Sequence, residues 1–111
     1  MTSEERLNNL LDFLKEDPSD VSAKYMIALE YIKASNDIEA HRWMEKIYSD
    51  HPSYLPNYYH YGKLLERKGD FENALLIYNH GIVIARDQKN LHTVSELSSA
   101  CEGLDGMTDD K

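Results

Sequence analysis

At 111 residues the chain has the length of one domain with room for a modest core, and 41% of it is hydrophobic and 29% charged. A formal net charge of -8, with a pI near 5.0 and no basic run longer than Arg67-Lys68, argues against a phosphate backbone as partner. The single cysteine, Cys101, excludes an intramolecular disulfide and fits a reducing compartment.

The acidic start, MTSEERLNNLL, lacks a secretory apolar segment, and no apolar run approaches bilayer length. A cytoplasmic location without membrane insertion is therefore expected. Glycine and proline are scarce and helix formers abundant, which leans towards an all-α chain.

The first helix is expected over 3–16. Thr2 and Glu5 have capping-box spacing, and Leu7, Leu10, Leu11 and Leu14 fall on one face with Phe13 at its edge. Asp17-Pro18-Ser19-Asp20 ends it and offers a cap for the next helix. From Asp20 to Ala34 the second helix is apolar nearly all round, with Ser22, Lys24, Glu30 and Lys33 as a thin polar strip. A third helix from Ile38 to Ser49 turns Ala40, Trp43, Met44, Ile47 and Tyr48 inward.

The fourth helix starts near Leu55, with Pro56 tolerable in its first turn, and buries Tyr58, Tyr61, Gly62 and Leu65. Lys68-Gly69-Asp70 turns the chain into a fifth helix, Phe71 to Arg86, burying Ala74, Leu75, Tyr78, Ile82 and Ala85. After a polar break at Asp87–Asn90, a last helix from Leu91 to Glu102 has a narrow apolar face of Leu91, Val94, Leu97 and Cys101. Residues 103–111 read as a flexible acidic tail.

Shifted by 34 residues, the chain matches itself: Pro18 falls on Pro52, Tyr25 on Tyr59, Ala28 on Gly62, Ala40 on Ala74 and Met44 on Tyr78. A sustained period of this kind marks stacked supersecondary units. In the second unit Gly62, Ala74 and Tyr78 match the pattern W-x2-L-G-x2-Y, A-x3-F, while Tyr58, Tyr61 and Leu65 stand in for its Trp, Leu and Tyr and Arg86 sits where proline is usual. The first unit follows it through Ile27, Ala28, Tyr31, Ala40 and Pro52, and departs from it at Lys24 and Met44.

On these residues the chain resembles the tetratricopeptide repeat family. The resemblance implies an α-solenoid of about six helices, stacked in a right-handed superhelix of antiparallel pairs, as a single domain over 1–104. Its parts would be an N-terminal half-unit at 3–16, repeats at 21–54 and 55–88, and a capping helix at 90–102. It also implies a protein–protein interaction module, scaffold or adaptor that binds a peptide or partner helix in a concave groove lined by the first helix of each unit. The groove stripe would then comprise Tyr25, Leu29, Ile32, Tyr59 and Lys63, with Glu66 and Arg67 setting polarity at the rim. Leu29 and Ile32 could equally be core. The Lys, Asn and Arg set with which some family members hold a terminal carboxylate is missing at Tyr25, Leu29 and His60.

Two other readings of the chain are a self-associating structural unit, a homo-oligomer pairing through the last helix, and a small chaperone-like holder of clients. Catalysis finds no footing in the sequence. There is no phosphate loop, no G-x-S-x-G elbow and no H-E-x-x-H, and Cys101 and His92 fall on different sides of one helix. The five histidines form no i, i+4 pair, so no metal or other cofactor is expected. The tyrosines crowded at 54, 58, 59 and 61 read as packing rather than base-stacking platforms, because no basic groove accompanies them.

Overall fold

A computed structural model describes residues 2–106. Six helices account for most of them: α1 Ser3–Glu16, α2 Val21–Lys33, α3 Asp37–Asp50, α4 Pro56–Arg67, α5 Phe71–Asp87 and α6 Leu91–Glu102. No strand occurs among the described residues. The all-α helical-repeat expectation is thus met. The chain forms two compact units, Met1–His51 and Pro52–Lys111.

In the first unit α1 and α3 both pack on α2. The core is the seam of α2 with α3, where Ala23, Ile27 and Ala28 meet Ala40, Met44 and Ile47. Small residues at 23, 28 and 40 allow close approach, while Met44 and Ile47 fill the remaining space. The other seam is of a different kind. No residue of α1 is buried, and Leu7, Leu10, Leu11 and Leu14 are only half-covered. A polar clamp complements them: Glu30 of α2 accepts from the Ser3 hydroxyl at 2.6 Å and from Arg6 Nε at 3.1 Å, with Lys33 Nζ 3.6 Å away. These donors, the Ser3 hydroxyl first, hold the Glu30 carboxyl below the usual carboxylate range.

In the second unit α5 lies against both α4 and α6. Tyr58, Tyr61, Leu64 and Leu65 of α4 pack with Ala74, Ile77, Tyr78, Ile82 and Ala85 of α5, and Leu97 and Ala100 close the α6 side. Gly62 and Gly81 mark the closest approaches. A Cβ on Gly62 would strike the Tyr78 ring, and one on Gly81 would lie 2.8 Å from both Leu97 Cδ1 and Tyr58 Cβ.

Three of the joints share one construction. Ser35, Gly69 and Lys89 adopt positive φ of 59°, 82° and 59°. The amide of the next residue then donates back into the finished helix: Asn36 to Tyr31 O, Asp70 to Leu65 O and Asn90 to Ala85 O, each at 2.9 Å. This left-handed ending satisfies carbonyls that a helix terminus leaves open. The same Asn or Asp caps the following helix, its side chain accepting from the amides of Glu39, Asn73 and Thr93 at 3.2, 3.3 and 3.0 Å. At the chain's start, Thr2 and Glu5 form the expected capping box.

Several sequence expectations need correction. Lys24, expected on the polar strip of α2, is 7% exposed, because it occupies the repeat position filled by Tyr58 in the second unit. Leu91 is 75% exposed rather than part of a buried face, since as the first residue of α6 it has no preceding turn to lie over. Leu75 is half-covered, and Ile77 takes the inward place beside Tyr78. Trp43 is likewise half-covered. Within the stretch expected as tail, Leu104 is 2% exposed and extends the core past the end of α6. Residues 107–111 of that expected tail lie outside the described residues.

Candidate functional site

The second unit carries an open cleft of about 440 Å3 between α4 and α6. Burial of Tyr58, Tyr61, Leu64 and Leu65 on the far side of α4 leaves Tyr59 and Lys63 on the cleft side. Being one turn apart they meet, with Lys63 Nζ 5.4 Å from the centre of the Tyr59 ring, a cation–π contact. Tyr59 also meets His60 edge-on, with ring centres 5.7 Å apart. His92, Ser95, Glu96 and Ser99 of α6 form the opposite wall.

Glu66 is more committed than a rim residue. Its carboxylate accepts a short hydrogen bond from the Tyr78 hydroxyl and lies 3.6 Å from Lys63 Nζ. Burial, and then the Glu66 carboxylate, push the Tyr78 phenol pKa far above its ordinary value, so Tyr78 remains a donor. A chain of contacts therefore runs from the core at Tyr78 through Glu66 and Lys63 to the face of Tyr59. It brings the aromatic and the ammonium together on the cleft side. Arg67 is exposed at the end of α4. In the first unit, Tyr25, Leu29 and Ile32 are each half-covered along α2.

The cleft combines an aromatic face, an ammonium, a carboxylate, an imidazole and the three hydroxyls of Tyr59, Ser95 and Ser99. No hydrogen bond joins His92 to Ser95, Ser99 or Glu96 among the described residues, so the wall shows no nucleophile–base pair. Nor, among those residues, does any group of three His, Cys, Asp or Glu side chains offer a metal site. None of the helices is long and apolar enough to cross a membrane. The Cys101 thiol lies 3.7 Å from Asn79 Oδ1; burial, with Asp105 and Glu102 nearby, raises its pKa and blunts its reactivity.

The sequence reading singled out Tyr59 and Lys63 but none of the α6 wall. A shift of 34 carries the buried Tyr58, Tyr61, Gly62 and Leu65 onto His92, Ser95, Glu96 and Ser99, which line the open cleft instead. The register breaks because α5, with Arg86 where proline is usual, runs past Ile84, the counterpart of Asp50 at the end of α3, and ends at Asp87. That extra length enters α6 in a different rotation.

The chain is similar to two solved structures titled tetratricopeptide repeat domain protein, both from Salinibacter ruber. A solution NMR structure is 32% identical with a TM-score of 0.80, covering 85% of this chain and 95% of that one. A crystal structure is 33% identical with a TM-score of 0.75, covering 79% of this chain and 98% of the other. No protein-family model matches the chain, and no curated protein matches it either.

Proposed function

The chain belongs to the tetratricopeptide repeat family, and from that premise we propose that it is a non-catalytic adaptor that binds a peptide or partner helix. The repeats 21–54 and 55–88 each contribute a contact stripe: Tyr25, Leu29 and Ile32 from the first, and Tyr59, Lys63, Glu66 and Arg67 from the second. One observation carries the reading. Tyr59 and Lys63 touch one another, and Lys63 touches Glu66, beside an open polar wall, so an aromatic face and an ammonium are presented together to a partner. No cofactor enters this function, and a reducing cytoplasm suits the single cysteine.

The test is selection of binding peptides from a displayed library with the wild-type chain, followed by titration against variants. Tyr59→Ser and Lys63→Glu are expected to weaken the selected peptides by about tenfold or more while helical circular dichroism is kept. Tyr25→Ser with Leu29→Ala examines the α2 stripe in the same way. Unchanged affinity in every variant would place recognition elsewhere. Collapse of the helical signal in the α2 variant would make those two residues core.

A further inference from the structure

The geometry points to a second binding surface in the first unit, a groove between α1 and α3 that takes a short acidic peptide bearing bulky apolar side chains. The groove is open, encloses about 810 Å3, and is lined by Leu11, Leu14 and Trp43 together with Lys15, Lys24 and Lys46. Its α1 wall belongs to the helix without a single buried residue, so the leucines present half-covered apolar surface to whatever occupies the space.

The charge supplies the identity of the occupant. Lys24 is 7% exposed, yet its ammonium has no carboxylate within ion-pair distance among the described residues. Its hydrogen-bond partner is Nε2 of His51 at 3.1 Å. An imidazole carries no negative charge, so His51 is a hydrogen-bond partner and not a counter-ion. A buried charge lacking a counter-charge is costly, and a ligand carboxylate would remove that cost. Lys46 has no carboxylate partner among those residues either. Asp12 is the one carboxylate lining the groove, and its contact with Lys15, 3.5 Å long between two largely exposed side chains, offsets little.

Three of the chain's twelve Lys and Arg residues thus converge on one groove of a protein whose net charge is -8. A nucleic acid or free phosphate would use the lysines and leave Leu11, Leu14 and Trp43 idle. Sedimentation, below, separates a second copy of the chain from a peptide as the occupant. An acidic peptide with apolar residues satisfies both halves of the site.

Trp43 is the only tryptophan, so its fluorescence reports on the groove in the intact chain. The probes are an amidated peptide with leucines at helical spacing and glutamates elsewhere, the same peptide with lysines for glutamates, and inorganic phosphate. The glutamate peptide is expected to give a saturable shift in Trp43 emission that weakens with salt, and the other two probes no shift. Lys46→Glu, at an exposed position, and Lys24→Met should each weaken it by about tenfold. Tyr59→Ser should leave it unchanged, which separates this groove from the α4–α6 cleft. The inference is overturned if both peptides act alike, if phosphate alone reproduces the shift, or if no probe moves Trp43. Equal binding by Lys46→Glu, loss of binding in Tyr59→Ser, or a dimer seen by sedimentation that shifts Trp43 without peptide would overturn it as well.

Discussion

Gly62 shows what one missing methyl does in this fold. A Cβ there would lie 2.6 Å from Cζ and 2.7 Å from Cδ1 of Tyr78, and the ring is tethered by its hydroxyl to Glu66. Alanine is the better helix former by about 1 kcal/mol, but overpacking against a tethered ring outweighs that gain. Gly62→Ala should therefore destabilise the second unit by about 2 kcal/mol, read from the urea midpoint. Gly81→Ala should cost about as much, because the end of Leu97 can shift but the root of Tyr58 cannot. Glu30 gives a pH prediction for the first unit. Its folded-state pKa lies below the ordinary value, so its stabilisation is present above the ordinary carboxylate range and is lost as pH falls through the folded value. Glu30→Gln should cost about 1 kcal/mol at neutral pH, and the gap to wild type should close in acid, in thermal melts followed across that range.

At the scale of the element, the joints decide where helices stop. Gly69 occupies the left-handed position after α4 without strain, whereas Ser35 and Lys89 hold the same conformation with a Cβ. Ser35→Gly and Lys89→Gly should each stabilise the chain by about 0.5–1 kcal/mol, the relief of left-handed strain exceeding the added freedom of the unfolded chain. Raised melting temperatures that add in the double variant would confirm it; a drop would mean that the side chains matter more than the backbone. The helices themselves were legible in the sequence because each has a local signal at both ends, such as Thr2 with Glu5, or Pro56 in a first turn. Their buried faces were legible where the 34-residue register holds and, in α6, at Leu97, which the apolar spacing marks. The register holds for Ala28 with Gly62 and for Ala40 with Ala74, all buried. It fails at α6, where the longer α5 rotates the phase and puts the cleft wall at positions the register would bury.

For the whole molecule, residue type and residue position gave opposite expectations at Lys24, and position prevailed. A lysine reads as solvated, but its place in the repeat is a core place, and the stem follows the position while the ammonium turns to His51. Leu104 is the converse: a leucine among polar neighbours, with no periodicity to mark it, that nonetheless completes the second unit's core. The candidate site was half legible for the same reason, since Tyr59 and Lys63 stand on a helix inside the register and His92 to Ser99 on one outside it. The joints, finally, govern time as well as shape. Each helix packs chiefly on its neighbour in sequence, and α2 to α3, α4 to α5 and α5 to α6 are joined by only a few residues whose hydrogen bonds are made locally. Little loop entropy is lost before native contacts form, so refolding from urea should be complete on the order of milliseconds or faster in stopped-flow experiments. A chain assembled through such joints can begin folding at any of them, and its speed is set by the nearest turn rather than by the distance between its ends.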